Sequence, residues 1–285
     1  MEWFIFSIFA TVMFGIQSFL YKGAMKKGCD KFVVTLSFMI TVAFFALILF
    51  LFEGITFTNL LITFIIGLIF AIAFYSKTII QMKALQYLPT NKVFPITSSE
   101  VILVIFFALV FFKEVLEFYQ ILGVALIIIA VTLIHGQSKK QKDYSKSKKG
   151  FLFAFLSIPF GATVVISNKF ASLNSETGFF ILVSYILLIL ISFVSYEVVE
   201  RRNAKKAPKR DSIKMGLLIG VVNFAGFFSF LSALEKGPLS LVAAIHPNFV
   251  VVTVILARIV YKEELSLKQF SLVLLSVIGV ILLRI

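Results

Sequence analysis

The chain has 285 residues, of which 60% are hydrophobic, 15% aromatic and only 14% charged. A soluble domain carries about 25% charged residues because its surface faces water, so this composition excludes an ordinary soluble body and leaves one dissolved in lipid. The net charge of +13 falls mostly on short connectors between apolar runs, where positive charge orients a protein in the bilayer; nucleic acid is therefore not expected as a partner.

A bilayer core needs about 20 apolar residues of helix. Met1-Glu2-Trp3 is acidic and aromatic, without the basic start of a signal peptide, and the run behind it is read as a retained first span. Runs of spanning size lie near 3–21, 32–52, 60–82, 92–112 and 117–135, then near 151–170, 177–199, 213–235, 239–261 and 266–284. They do not alternate as barrel strands do, and in lipid only helices or closed barrels satisfy their backbone. The expected fold is an all-α integral membrane protein with ten transmembrane helices. One cysteine, Cys29, and two distant histidines, His135 and His246, offer no disulfide or metal set, and no cofactor is expected.

Sliding the chain by 149 residues aligns the last three spans of each half without a gap. Gly67 falls on Gly216, Ala84-Leu85 on Ala233-Leu234, Pro89 on Pro238, Lys113-Glu114 on Lys262-Glu263 and Gln120 on Gln269. Phe14-Gly15 echoes Phe160-Gly161 at a slightly different offset. Each half holds an odd number of spans, so the second copy enters the membrane upside down. The organisation expected is a first repeat over 1–137, a basic loop over 138–149 and an inverted second repeat over 150–285. Inverted repeats with a site between them are a recurring transporter plan.

On those residues (Phe14-Gly15, Phe160-Gly161, Ala84-Leu85 before Pro89, Ala233-Leu234 before Gly237-Pro238, and the two Lys-Glu pairs followed by Gln) the chain resembles the EamA-type branch of the drug/metabolite transporter superfamily. The resemblance implies two inverted five-helix repeats around a central cavity. It also implies export or exchange of small organic solutes, amino acids among them. The sequence departs from the family pattern at Leu272, which stands opposite Gly123, although Gly279 is present.

Connectors on the side opposite the termini carry twenty-one Lys/Arg, against four on the terminal side. The richer side is read as cytoplasmic, which places both termini outside the cell membrane.

Ionisable and amide residues inside the membrane are costly and usually face a cavity or a partner. Glu100 lies about 12 Å into the fourth span by helical rise, in the polar stretch Thr97-Ser98-Ser99-Glu100. Lys77, on the antiparallel third span, reaches similar depth, and the two are placed to pair. The pair reads either as a packing device or as a site for a zwitterion or a proton-linked carboxylate. His246, at the place of Thr97 in the other repeat, precedes Pro247 and Asn248, and Pro95 breaks the fourth span nearly opposite. Matched breaks point to a binding site, and an imidazole suits proton coupling; a satisfied interhelical bond is the alternative. Gln17 and Tyr21 of the first span, Gln81 of the third, Ser99 of the fourth, Asn168 of the sixth and Asn223 of the eighth complete the candidate lining, while Lys22 and Lys169 are expected to snorkel.

The leading function is a secondary transporter of a small organic solute, an amino acid or similar metabolite, with the lipid bilayer as its other partner. An integral-membrane enzyme on a lipid-like substrate needs clustered carboxylates or histidines, and only Glu263-Glu264 form a doublet. A channel or scaffold is separated from a carrier by saturable flux. No glycine-rich loop cradles phosphate, so nucleotide hydrolysis has no support. Nothing in the sequence fixes an oligomeric state.

Overall fold

Lipid offers the backbone no hydrogen bonds, so each apolar run satisfies its peptide groups internally as a helix. The computed structural model describes residues 2–54, 59–88, 90–135, 148–195, 209–262 and 266–284. Among them the helices are α1 (Glu2–Lys26), α2 (Lys31–Glu53), α3 (Leu60–Tyr87), α4 (Thr90–Ser98), α5 (Glu100–Phe111) and α6 (Phe118–His135). The second half follows with α7 (Lys148–Asn174), α8 (Thr177–Ser195), α9 (Lys209–Lys236), α10 (Leu239–Ile245), α11 (Phe249–Tyr261) and α12 (Leu267–Leu282). A 3-10 turn, His246–Asn248, joins α10 to α11. Among the described residues, six segments are long and apolar enough to cross a membrane: α1, α2, α3, α7, α9 and the stretch from α10 to α11. The apolar helices Ile96–Phe111, Phe118–Ile134, Thr177–Phe193 and Leu267–Leu282 are shorter. Pro89, Glu263-Glu264 and most of the two long basic loops lie outside the described residues.

The run 92–112 is not one helix. It divides at Ser99 into α4 and α5, and the run 239–261 divides at the 3-10 turn. Pro95 lies within α4, and the break falls four residues later. Asn248 holds the second break together: its amide donates to Ile245 O (2.9 Å), and its carbonyl oxygen accepts from Ser276 of α12.

The repeated motifs have structural causes. Lys113 and Lys262 both take the left-handed conformation (φ 52° and 53°) that ends their helices. The Glu114 N–H then turns back to Ala108 O (3.3 Å), a helix-stop geometry. Gln120 accepts the N–H of Glu117 (3.2 Å), and Gln269 accepts that of Ser266 (3.0 Å), whose hydroxyl completes a capping box. One donor at the start of α6 and two at the start of α12 are thereby satisfied. The missing glycine at Leu272 is no gap in the packing, because Gly123 of α6 meets Gly279 of α12. A Cβ on Gly123 would stand 2.7 Å from Gly279 O.

Packing partners exchange between the halves. α3 lies on α7 and α8, as α9 lies on α1 and α2; α5 meets α7, as α11 meets α1; α2 pairs with α8 and α6 with α12. One end of the bundle gathers both termini. There Glu2 pairs with Lys236 (2.5 Å) and Arg284 lies over the Phe4 ring. At the opposite end Asp30 N–H donates to Ser212 (3.0 Å), and Gly150 abuts Tyr87 and Leu88. Large apolar side chains such as Phe52, Phe106, Phe118 and Leu152 stay exposed on the outside, where an acyl chain replaces water.

Candidate functional site

The two broken helices meet in the middle of the bundle. In the first half, Glu100 opens α5, so its carboxylate sits in the first turn where the helix dipole favours a negative charge. Lys77 comes from α3 across the way, and its Nζ lies 2.8 Å from both Glu100 oxygens. The two side chains keep 24% and 15% exposure, so the pair is not fully sealed in packing, although Glu100 Oε2 itself is buried. One turn beyond Lys77, Gln81 Nε2 donates to Thr97 Oγ1 (3.3 Å).

The carboxylate fits because α7 presents Gly161 to it. A Cβ at that position would fall 1.7 Å from Glu100 Oε2 and 3.2 Å from Lys77 Cε. Phe14-Gly15 and Phe160-Gly161 therefore have a shared reason, since Gly15 receives the second broken helix in the same way. Its absent Cβ would stand 2.4 Å from Val252 Cβ and 2.9 Å from Phe249 O. At the 149-residue offset, Phe249 occupies the place of Glu100.

The second half is accordingly aromatic where the first is charged. His246 lies among Phe14 of α1, Phe230 of α9 and Phe249 of α11, with centroid separations of 5.1, 5.0 and 5.6 Å. Its Nδ1 is buried without a hydrogen-bond partner.

A third group ties α8, α9 and α1. The Tyr185 hydroxyl donates to Asn223 Oδ1 (2.6 Å), and Asn223 Nδ2 donates to Gln17 Oε1 (3.0 Å). Tyr21 stands next to it, edge-on to Phe38 at 6.0 Å.

The structure thus pairs Lys77 with Glu100 beside Gln81 and Thr97, and it links Gln17 to Asn223. It leaves others apart. Asn248 is committed to its own helix break, and Ser99 is the residue at which α4 gives way to α5. Asn168 is buried about two turns beyond Gly161, toward the terminal end, with Oδ1 unpartnered. Lys169 does not snorkel. It is buried and donates to Leu234 O and to Gly237 O (3.0 Å) at the end of α9. Sequence reasoning missed Tyr185, Phe230 and Phe249. Tyr185 was findable as the one hydroxylated ring within the apolar run of α8, whereas the phenylalanines are lost among thirty-five.

The EamA-like transporter family matches residues 1–136 and 148–285, which together span nearly all of the sequence. The chain belongs to this family. It is therefore an EamA-type member of the drug/metabolite transporter superfamily and a multi-pass membrane protein. A solved crystal structure at 12% identity superposes on it with a TM-score of 0.78, over 98% of this chain and 95% of the other, and that likeness shows the shared fold. No curated protein matches it. In this EamA-like chain Phe14-Gly15 and Phe160-Gly161 are the two positions at which a broken helix from the other half is received.

Proposed function

We propose that the chain is a secondary transporter that moves a small organic solute, an amino acid or similar metabolite, by alternating access. On this reading ten spans form two inverted repeats, 1–137 and 150–285, joined by the basic loop 138–149, with both termini outside the cell membrane. The exchange of packing partners between the halves and the matched breaks at Glu100 and Phe249 support it.

The observation that carries the reading is the partly exposed Lys77–Glu100 pair at a mid-bundle helix break, pressed against a glycine. Full enclosure costs an ion pair the hydration of both charges, and a pair that exchanges partners with a solute has to keep a route to it. This one is left partly accessible, and the adjoining residue lacks a side chain. A zwitterion presents an ammonium to Glu100 and a carboxylate to Lys77, replacing one ion pair by two without burying a net charge. Gln81, Gln17 and Asn223 supply neutral donors and acceptors around it.

The test is uptake of labelled amino acids, sugars and organic cations into proteoliposomes, with and without an imposed pH gradient. Saturable uptake of a zwitterion is the expected result, and a response to the gradient that Glu100→Gln or His246→Gln abolishes assigns the coupling to that residue. Saturable uptake of uncharged sugars alone refutes the role given to the pair.

A further inference from the structure

At the 149-residue offset the two halves place opposite chemistry at matched positions. In the first half Gln81 donates to Thr97 (3.3 Å) and Lys77 pairs with Glu100 (2.8 Å). In the second half the residues at those four places are Phe230, His246, Gly226 and Phe249. Phe230 meets His246 as Gln81 meets Thr97, with 5.0 Å between ring centroids. Gly226 offers Phe249 no side chain, and Phe14 of α1 comes up against it instead. A Cβ on Gly226 would stand 3.5 Å from the Phe14 ring. Where the first half is charged and hydrogen-bonded, the second is a cluster of rings.

The cluster is not closed. Phe14, His246 and Phe249 are each partly exposed, whereas Phe230 behind them is 4% exposed. Phe249 belongs to the inner side of the bundle. Its carbonyl faces Gly15 of α1 and its ring packs on His246, while α11 turns Ile255 and Ile259 outward. The 3-10 turn that carries His246 packs on α1 and α6, and α5, which Glu100 opens, packs on α10 just before that turn. Lys77 lies within electrostatic reach of the His246 imidazole, so the ion pair and the rings border the same space. Open apolar surface in a cavity gains when an apolar group displaces the water over it, and a few polar groups beside it fix the orientation of the ligand.

We infer that Phe14, His246 and Phe249 form the wall that takes the side chain of the solute, and that the cargo is a zwitterionic amino acid with a large, uncharged apolar side chain. The inference rests on the zwitterion site of the proposed function and names the class of cargo within it. Glu100 and Lys77 hold the ammonium and carboxylate of the solute, and its side chain lies on the rings. A basic side chain there meets the Lys77 ammonium as a like charge. An acidic one gives up its hydration against phenyl rings. A small one leaves the apolar wall uncovered. A solute bound in this way bridges the halves, because Lys77 and Glu100 belong to the first and His246 and Phe249 to the second.

The experiment measures uptake of labelled alanine, leucine, phenylalanine, lysine and glutamate by the full chain in proteoliposomes. The five share one head group and differ in the side chain. Leucine and phenylalanine should exceed alanine in kcat/KM by about tenfold or more, the effect of burying several methylene equivalents, with lysine and glutamate below alanine. Phe249→Ala should lower the phenylalanine-to-alanine ratio about tenfold. Phe249→Leu keeps most of the volume and serves where Phe249→Ala does not fold; it should lower the phenylalanine-to-leucine ratio. A substitution that only loosens the fold lowers all five rates together, so unchanged ratios in these variants overturn the inference. Alanine carried as well as phenylalanine by the native chain also overturns it and leaves the zwitterion site standing. Saturable uptake of none of the five refutes the zwitterion site itself, and the inference falls with it.

Discussion

Gly161→Ala tests how much of the site depends on one missing side chain. The added methyl would begin 1.7 Å from Glu100 Oε2 and 2.6 Å from its carboxyl carbon. The carboxylate has to retreat by about 1.5–2 Å to regain an ordinary contact. Oε2 lies 2.8 Å from Lys77 Nζ, and that retreat takes it beyond hydrogen-bond range. Overpacking of this kind costs about 1–3 kcal/mol, and the loosened ion pair adds to it, so a destabilisation of about 2–3 kcal/mol is expected. Buried Cys29 provides the assay, since a thiol-reactive dye reports its exposure during a thermal melt. Flux in liposomes should fall at least tenfold at low solute concentration, the equivalent of about 1.4 kcal/mol in site affinity. The clash is specific to the carboxylate. In a Glu100→Ala background the same glycine substitution should therefore add less than about 0.5 kcal/mol, the usual limit for uncoupled sites. Full additivity of the two substitutions refutes the contact and the role of Gly161 with it.

Lys77→Met and Glu100→Gln should each destabilise the fold by up to about 3 kcal/mol, because each leaves a lone charge in the membrane interior. The double variant should melt near the native temperature while zwitterion flux stays lost; recovery of flux in the double variant makes the pair structural only. Gln120→Ala and Gln269→Ala each remove a helix-start bond and should cost about 1 kcal/mol in thermal melts, with KM unchanged. Tyr185→Phe removes the donor to Asn223 and should cost about 1 kcal/mol. Its KM should rise if Asn223 and Gln17 face the solute, and a KM equal to the native one confines that network to packing.

The helices were legible in the sequence because lipid leaves a run such as 177–199 no other way to satisfy its backbone. Lys77 and Glu100 were legible for a related reason: charges at matching depth on antiparallel helices have few partners available. What the sequence concealed was contact between distant segments. Gly161 looked like a residue for close helix packing, and only the folded chain shows that it makes room for a carboxylate sixty positions earlier. Lys169 looked like an interfacial lysine, since snorkelling is the cheap option near a helix end. The carbonyls at the end of α9 offered a better one. Asn248 was read as cavity lining beside a proline, but its neighbour on α12, Ser276, could not be found by spacing. The Lys-Glu and Gln matches flagged the repeat correctly, while their roles in stopping and capping helices emerge only from backbone geometry.

The most direct test of the carrier reading is counterflow. Proteoliposomes are loaded with a high concentration of unlabelled solute and diluted into a trace of the labelled form. An alternating-access carrier returns inward loaded with label while the internal pool prevents its escape, so labelled solute overshoots its equilibrium level and then decays. The account predicts that overshoot in the native protein and its loss in the Lys77→Met, Glu100→Gln double variant. A monotonic approach to equilibrium, equal in both proteins, contradicts it.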